Sequence, residues 1–319
     1  MNERPFAPLP LPPLDLQPFW GRRLDRALAV GTRPRILSSD DSPDGVRRLR
    51  VEYASTDGVR IGAWITLPTD GVVDRGVVRL HGYGGIAQAD VVHPALARTA
   101  VIWPCLRGLA ELSRSARFPD AADAHVLVGI ESRDEYIHGG CVDDVWCAIS
   151  ALGELVPGAA ARTDLIGGSF GGGIGIMATA WDSRIASAVV EVPSFGNHPV
   201  RVTIPCEGSG EAVRRRWLVD PSVLDVLAYF DSANCARFVD VPVLVAAALI
   251  DPVVPPAGQW SVYDALRAHG EAFTLTAGHI AYQEEAAERV NFEAATLRFL
   301  ARPRSIASVE DGGNKPSKL

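Results

Sequence analysis

LIGGSFGGGIGIMATA, residues 165–180, places glycines on both sides of Ser169. The residues before it read as the end of a short buried strand, and the apolar run after it reads as a helix. Glycine weakens both kinds of element, so glycines here indicate a sharp turn where neighbouring backbones pass too close for a Cβ atom. Such a turn strains the serine backbone towards positive φ and presents its hydroxyl beside a helix N-terminus, which favours negative charge.

Residues 167–171, GGSFG, match the G-x-S-x-G pattern of a nucleophile elbow. The alternative is a glycine-rich turn with an incidental serine, but the strand before it and the helix after it favour the catalytic interpretation. No G-K-[ST] sequence follows the glycines, which excludes a P-loop. A dinucleotide-binding fingerprint would lie near the first strand of its fold, so that interpretation is disfavoured.

The composition is that of a soluble globular protein, with 319 residues, 47% hydrophobic and 22% charged. The net charge is −7 and no basic cluster is interleaved with aromatic residues, which argues against a nucleic-acid partner. Five cysteines without a CxxC pair argue against a disulfide framework and favour a reducing, cytoplasmic location. We expect no signal peptide and no membrane span, since no apolar stretch approaches 18 residues.

Short apolar runs alternate with helical patterns from about residue 75 onwards, which predicts a mostly parallel central sheet with helices on both faces. Together with the elbow, this alternation predicts an α/β-hydrolase fold. Two alternating segments before it, VRRLRVEYAS and VRIGAWITL, predict an antiparallel pair at the edge of the sheet. The predicted parallel strands are GVVRLHG, TAVIWPC, TDLIGG, IASAVVEV, VPVLVAAALID and AFTLTAG.

The predicted domain organisation has three parts. Residues 1–18 are rich in proline and form an extended N-terminal arm. Residues 19–301 form the hydrolase domain, which starts with a helix over 19–30 and contains a small helical cap inserted at about 193–240. Residues 302–319 are polar and glycine-rich, which predicts a disordered tail.

A serine nucleophile needs a base and a carboxylate that orients it, and in this fold the chain order is Ser, Asp or Glu, then His. Three histidines follow Ser169. His279 follows a predicted strand end and is the candidate base. His269 lies in a helix C-capping pattern, and His198 is a candidate for the wall of the pocket.

Asp251 is the candidate orienting residue because it is the first charge after the most apolar run of the chain, in LIDPVVPP. A buried strand that ends in an aspartate and a proline-rich loop delivers a carboxylate to the carboxyl edge of the sheet. The alternative is a helix cap or turn aspartate. Asp225, Asp231 and Asp240 lie in such cap or turn contexts and rank lower.

Two backbone N–H groups should bind the negative oxygen of the tetrahedral intermediate. Phe170, directly after the nucleophile, is the first candidate. Tyr83 is the second, because it lies in the glycine-rich loop RLHGYGG after an earlier strand. The same glycines could merely form a tight turn.

These motifs together resemble the acetyl xylan esterase/cephalosporin C deacetylase family (carbohydrate esterase family 7) of α/β-hydrolases, from about residue 15 to 300. The matching segments, in chain order, are DLQPFW, HGYGG, RGL at residues 107–109, GGSFGGG, LIDPVVPP and GHI. The resemblance implies the catalytic roles of Ser169, Asp251 and His279 and the oxyanion donors at Tyr83 and Phe170. It also implies that Arg107 is a structural support beside the site.

The resemblance further implies small acetyl esters of sugars, xylo-oligosaccharides or cephalosporin C as substrates, and a ring-like homo-oligomer. Three positions depart from the family pattern: Leu109 and Phe170 replace glutamines, and Ile280 replaces a glutamate. All three are apolar, which suggests a more apolar acyl or alcohol group.

The sequence therefore predicts a serine carboxylesterase that uses a Ser-His-Asp triad and an acyl-enzyme, without a metal or cofactor, on a small-molecule ester. One alternative is another hydrolase of this fold, such as a peptidase or a dienelactone-type enzyme. The other is a catalytically inactive binding homologue.

Overall fold

The computed structural model describes residues 4–87, 91 and 96–302, and within them a nine-stranded sheet forms the centre of the fold. The strand order across the sheet is β1-β2-β3-β5-β4-β6-β7-β8-β9. The strands are β1 (Arg35–Asp41), β2 (Val46–Ala54), β3 (Arg60–Pro68), β4 (Arg75–Leu80), β5 (Thr99–Pro104), β6 (Thr163–Gly168), β7 (Ile185–Glu191), β8 (Val243–Ile250) and β9 (Gly270–Ala277).

Six of these strands, β5, β4, β6, β7, β8 and β9, run parallel to one another, and all six coincide with the apolar runs predicted as buried strands. The antiparallel pair β2–β3 is also confirmed. Its predicted place at the sheet edge is wrong, because β1 pairs with β2 and forms the outermost strand. All seven residues of β1 are exposed, so the strand lacks the apolar alternation by which it could be recognised.

Helices cover both faces of the sheet, as predicted. On one face of the sheet, the larger core contains residues of α4, α5 and α10 together with Val190 of β7 and Val243 and Val245 of β8. On the other face, Val189 of β7 and Leu244 of β8 pack against α11. The helices are α1 (Leu16–Leu28), α2 (Ala110–Ser113), α3 (Ala122–His125), α4 (Ile137–Leu155), α5 (Phe170–Thr179), α6 (His198–Arg201), α7 (Ser209–Val219), α8 (Val223–Leu227), α9 (Ser232–Ala236), α10 (Pro256–Ala265) and α11 (Glu285–Ala301).

The connection between β7 and β8 holds four short helices, α6 to α9, in the segment assigned above to the cap; we call residues 193–240 the cap. Helix α1 begins at Leu16, three residues before the predicted start, because Leu16 is itself buried in the core. The predicted tail lies outside the described residues from 303 onwards. None of the described helices is both long and apolar enough to cross a membrane.

The parallel strands end at one edge of the sheet, and the predicted site residues follow those ends. The loop containing Tyr83 follows β4, Ser169 follows β6, Asp251 follows β8 and His279 lies two residues after β9. Because parallel strands present their carboxyl ends at the same edge, residues far apart in sequence converge there.

Candidate active site

Ser169 occupies a sharp turn between β6 and α5, and its φ of 53° is in the region that only glycine adopts easily. A Cβ atom at Gly167 would lie 2.4 Å from the carbonyl oxygen of Gly171, and one at Gly171 would lie 2.7 Å from that of His81. A Cβ atom at Gly168 would meet nothing within 4 Å. The close backbone approach expected at the elbow is therefore made at positions 167 and 171.

The side chains of Ser169, His279 and Asp251 form one continuous chain of hydrogen bonds. Nδ1 of His279 donates to Oδ2 of Asp251 at 2.8 Å, and Nε2 lies 3.0 Å from Oγ of Ser169. Because a carboxylate only accepts, the ring proton is on Nδ1 and Nε2 is left to accept from the serine. A Cβ atom at Gly278 would lie 2.4 Å from Oδ2 of Asp251, so only glycine fits before the histidine.

Gln259 of α10 is a site residue that the sequence did not reveal. Its Nε2 donates to Oδ2 of Asp251 at 2.9 Å, and its Oε1 accepts from the backbone N–H of Ala248 at 2.8 Å. The other carboxylate oxygen accepts the N–H groups of Val253 and Val254, both at 2.9 Å. Asp251 therefore accepts four hydrogen bonds, which fix its orientation and stabilise its charge.

His81 holds the loop that contains Tyr83. The backbone N–H of Leu106 donates to its Nε2 at 3.1 Å, so Nε2 is unprotonated and Nδ1 donates to the carbonyl oxygen of Gly82 at 2.7 Å. Burial lowers the pKa of His81 to about 4. The neutral imidazole thus connects the loop after β4 to the loop after β5.

Tyr83 and Phe170, the two predicted oxyanion donors, lie side by side. Their ring centroids are 4.2 Å apart, and the Tyr83 hydroxyl lies 3.2 Å from Nε2 of His138. The ring of His125 packs edge-on against Tyr83, with centroids 5.6 Å apart. Among the described residues, neither backbone N–H group donates to another backbone group, so both remain available to an external acceptor.

Arg107 is buried behind this loop and bonds to Asp144 rather than to Ser169, His279 or Asp251. Its Nη2 donates to Oδ1 of Asp144 at 2.7 Å and its Nε donates to Oδ2 at 3.0 Å. Burial opposes its charge, but the Asp144 carboxylate outweighs that effect and raises the pKa of Arg107. Its carbonyl oxygen accepts a hydrogen bond from His125 at 2.9 Å.

A cavity of about 610 Å³ opens beside Ser169 and His279, between the sheet and α11. His198 does not line it: this histidine belongs to α6 of the cap and is fully buried, with its ring stacked 6.3 Å from that of Phe195. The lining combines apolar and charged side chains, among them Ile166, Val189, Phe292, Arg79, Glu191 and Arg289.

Comparisons with known proteins agree with the fold of this chain. A family model described as Acetyl xylan esterase (AXE1) matches residues 6–300. The solved acetyl xylan esterase from Paenibacillus sp. R4 superposes with a TM-score of 0.80 at 21% identity, covering 91% of this chain and 96% of that one. Acetyl xylan esterase 1 from Thermoanaerobacterium sp. JW/SL YS485 superposes with a TM-score of 0.77 at 19% identity, covering 92% and 95%.

A curated relative, the acetyl esterase Axe7A of Xylanibacter ruminicola, is 24% identical over 157 residues, which are 48% of this chain and 35% of that protein. The match therefore spans about a third of the length of this relative. The two solved structures are 21% and 19% identical to this chain, and at such identities their similarity establishes the fold alone.

Proposed function

Because the chain belongs to the acetyl xylan esterase family, we propose that it is a serine carboxylesterase acting on small esters. It removes acetyl or other short acyl groups, with acetylated sugars or xylo-oligosaccharides as the substrate class. The observation that supports the proposal best is the hydrogen-bonded chain from Asp251 through His279 to Ser169. In this arrangement a base accepts the serine proton while a carboxylate fixes the ring tautomer.

In the acylation step, Oγ of Ser169 attacks the ester carbonyl carbon and Nε2 of His279 takes its proton. The N–H groups of Tyr83 and Phe170 bind the oxyanion. The tetrahedral intermediate collapses, the bond to the alcohol oxygen breaks, and His279 returns the proton to the leaving alcohol. Asp251 stabilises the imidazolium that forms transiently.

In the deacylation step, His279 takes a proton from water, which attacks the acyl-enzyme carbonyl. The second tetrahedral intermediate collapses, the bond to Oγ breaks, and the serine regains its proton. The product is the free acid, which is acetate for an acetyl ester. Every proton in this cycle moves through one ring nitrogen, so the proposal needs no metal or cofactor.

The three departures from the family pattern differ in their relation to substrate. Leu109 and Phe170 are buried, whereas Ile280 is 42% exposed beside His279. Ile280 therefore is the one of these three positions where an apolar side chain can contact an acyl or alcohol group.

Assembly of the protein as a homo-oligomer, which the resemblance implies, is tested by light scattering. A cytoplasmic location fits the five free cysteines.

Labelling with a fluorophosphonate tests the nucleophile. We expect mass on Ser169 in the wild type, none in Ser169→Ala, and a kcat for His279→Ala that is lower by about a thousandfold or more. His269→Ala is the matched control, since it removes an exposed histidine and should leave turnover unchanged. Failure to label under conditions that label a known esterase would favour an inactive binding homologue.

A panel of acetyl, butyryl and aminoacyl esters separates the proposal from the other hydrolases of this fold. We expect the highest kcat/KM for acetyl esters, with activity falling on aminoacyl substrates. Preference for aminoacyl esters would favour a peptidase instead.

A further inference from the structure

Arg201 of α6 carries a buried charge that has no hydrogen-bonded or ion-paired partner in the part of the chain that the structure describes. The residue is 2% exposed, and Nε and Nη1 of its guanidinium lack any hydrogen bond. No carboxylate oxygen of the described residues lies within 4.0 Å of it. Burying an unpaired charge is strongly unfavourable, and arginine stays protonated, so the charge needs an anion nearby.

Two further buried polar groups without partners lie close to Arg201. The hydroxyl of Tyr136 and Nδ1 of His138 both lack hydrogen bonds, and both residues are almost fully buried. The rings of Tyr136 and His138 have centroids 4.4 Å apart, and Phe195 lies 4.3 Å from His138 and 5.9 Å from Cζ of Arg201. Tyr136, His138, Phe195 and Arg201 thus form a continuous row of contacts. The ring of His198, whose two nitrogens also lack hydrogen bonds, lies 6.3 Å from that of Phe195.

All three groups can act as donors. Arginine and tyrosine supply N–H and O–H groups. Burial, with a smaller contribution from the Arg201 charge, lowers the pKa of His138 well below its usual value, so this ring is neutral. When the Tyr83 hydroxyl donates to Nε2 of His138, the ring proton is on Nδ1, which becomes the third donor.

Among the described residues, the neighbouring acidic groups form no ion pair with Arg201. Asp231 is fully buried, but its two oxygens already accept the backbone N–H groups of Asn197, His198, Ala233 and Asn234. Burial raises the pKa of Asp231 to about 6, so the carboxylate is ionised at neutral pH, but those four N–H groups bind its charge. Cys206 lies near the guanidinium, but burial raises the pKa of its thiol, which therefore stays protonated at neutral pH.

Close packing against Gly210 of α7 fixes the position of the Arg201 guanidinium. A Cβ atom at Gly210 of α7 would lie 2.2 Å from Nη2 of Arg201, so any other residue there would displace it. The guanidinium therefore lies between α7 and Phe195, whose ring packs against His138 of α4 and against Phe170.

We propose that Arg201, Tyr136 and His138 form a buried binding site for one small monovalent anion, either a halide or a carboxylate. The bound anion accepts hydrogen bonds from all three side chains and joins the cap to the N-terminal end of α4. It supports Tyr83 from behind through His138. The site is separate from the triad and does not depend on the proposed esterase activity.

Thermal unfolding at constant ionic strength tests this site. The protein is exchanged into sodium gluconate, whose anion is much larger than chloride, bromide or acetate, and titrated with the sodium salt of each of these three. At a hundredfold excess over the dissociation constant, we expect the Tm to rise by about 4 °C. A response to chloride and bromide identifies a halide site, and a response to acetate identifies a carboxylate site.

Arg201→Met removes the charge, and Arg215→Met on α7 is the control, since Arg215 is 76% exposed. We expect the anion to stabilise the wild type and Arg215→Met but not Arg201→Met. An equal response in all three proteins, or none in the wild type, would overturn the proposal. If Arg201→Met does not fold, bromide-soaked crystals of the wild type decide: an anomalous peak beside Arg201 supports the site, and its absence contradicts it.

Discussion

Replacing His81 by glutamine should change how the stability of the protein depends on pH. His81 is buried and neutral, and its Nε2 must be unprotonated to accept the N–H of Leu106. Burial lowers its pKa in the folded protein to about 4, below the ordinary value of 6.5. Between these two pH values the unfolded chain binds a proton at this residue and the folded chain does not. Stability is therefore lost as the pH falls from about 6.5 towards 4.

The size of the effect follows from the two pKa values. The shift from 6.5 to about 4 is about 2.5 units, and each unit corresponds to about 1.36 kcal/mol, so the full loss is about 3.4 kcal/mol. At pH 4.5 about 2.5 kcal/mol of it has already been lost. A glutamine does not titrate, so the variant lacks this part of the acid sensitivity whatever its absolute stability.

Urea unfolding at intervals from pH 4.5 to 7.5, on wild type and His81→Gln, measures the difference. The two curves of unfolding free energy against pH should converge towards low pH by about 2.5 kcal/mol. His269→Gln, which removes an exposed histidine, is the control for the substitution. Curves for wild type and His81→Gln that run parallel across the range would refute a neutral, buried His81.

Three further variants test other contacts. Gln259→Leu removes one hydrogen bond to Asp251, so kcat should fall by about tenfold or more at unchanged KM; a kcat within twofold of wild type would contradict the contact. Gly278→Ala places a Cβ atom 2.4 Å from Oδ2 of Asp251. We expect the kcat of this variant to fall by about a hundredfold while its Tm changes little. An unchanged kcat would show that the loop adapts to the added methyl group. Arg107→Met leaves Asp144 buried without its partner, so the free energy of unfolding measured in urea should fall by about 3–5 kcal/mol. A fall of less than about 1 kcal/mol would mean that other groups compensate for the lost pair.

The parallel strands and the elbow could be predicted because their sequence patterns are local. Continuous apolar runs mark buried strands, and the glycines at 167 and 171 reflect contacts within a few residues or with the adjacent strand. Strand β1 could not be predicted, since its fully exposed residues RILSSDD carry no pattern and only pairing with β2 makes it a strand. The early start of α1 likewise depends on packing of Leu16 in the core.

The three proposed catalytic side chains could be located because chain order and strand ends restrict the choice. Gln259 could not, because a glutamine inside an apolar helix has no local signal and its partners come from β8 and the loop after it. Arg201 and Tyr136 are 65 residues apart in sequence, and only the folded structure shows that their buried polar groups lack partners. Residues whose role depends on such distant contacts need the structure.

The most direct test of the central claim is a rapid acid quench during the first turnover of p-nitrophenyl acetate, followed by peptide mapping. We expect a burst of p-nitrophenol and an acetyl group on the peptide that contains Ser169. Turnover with the acetyl group on another residue, or with no acetylated peptide at any time, would contradict the proposed acyl-enzyme at Ser169.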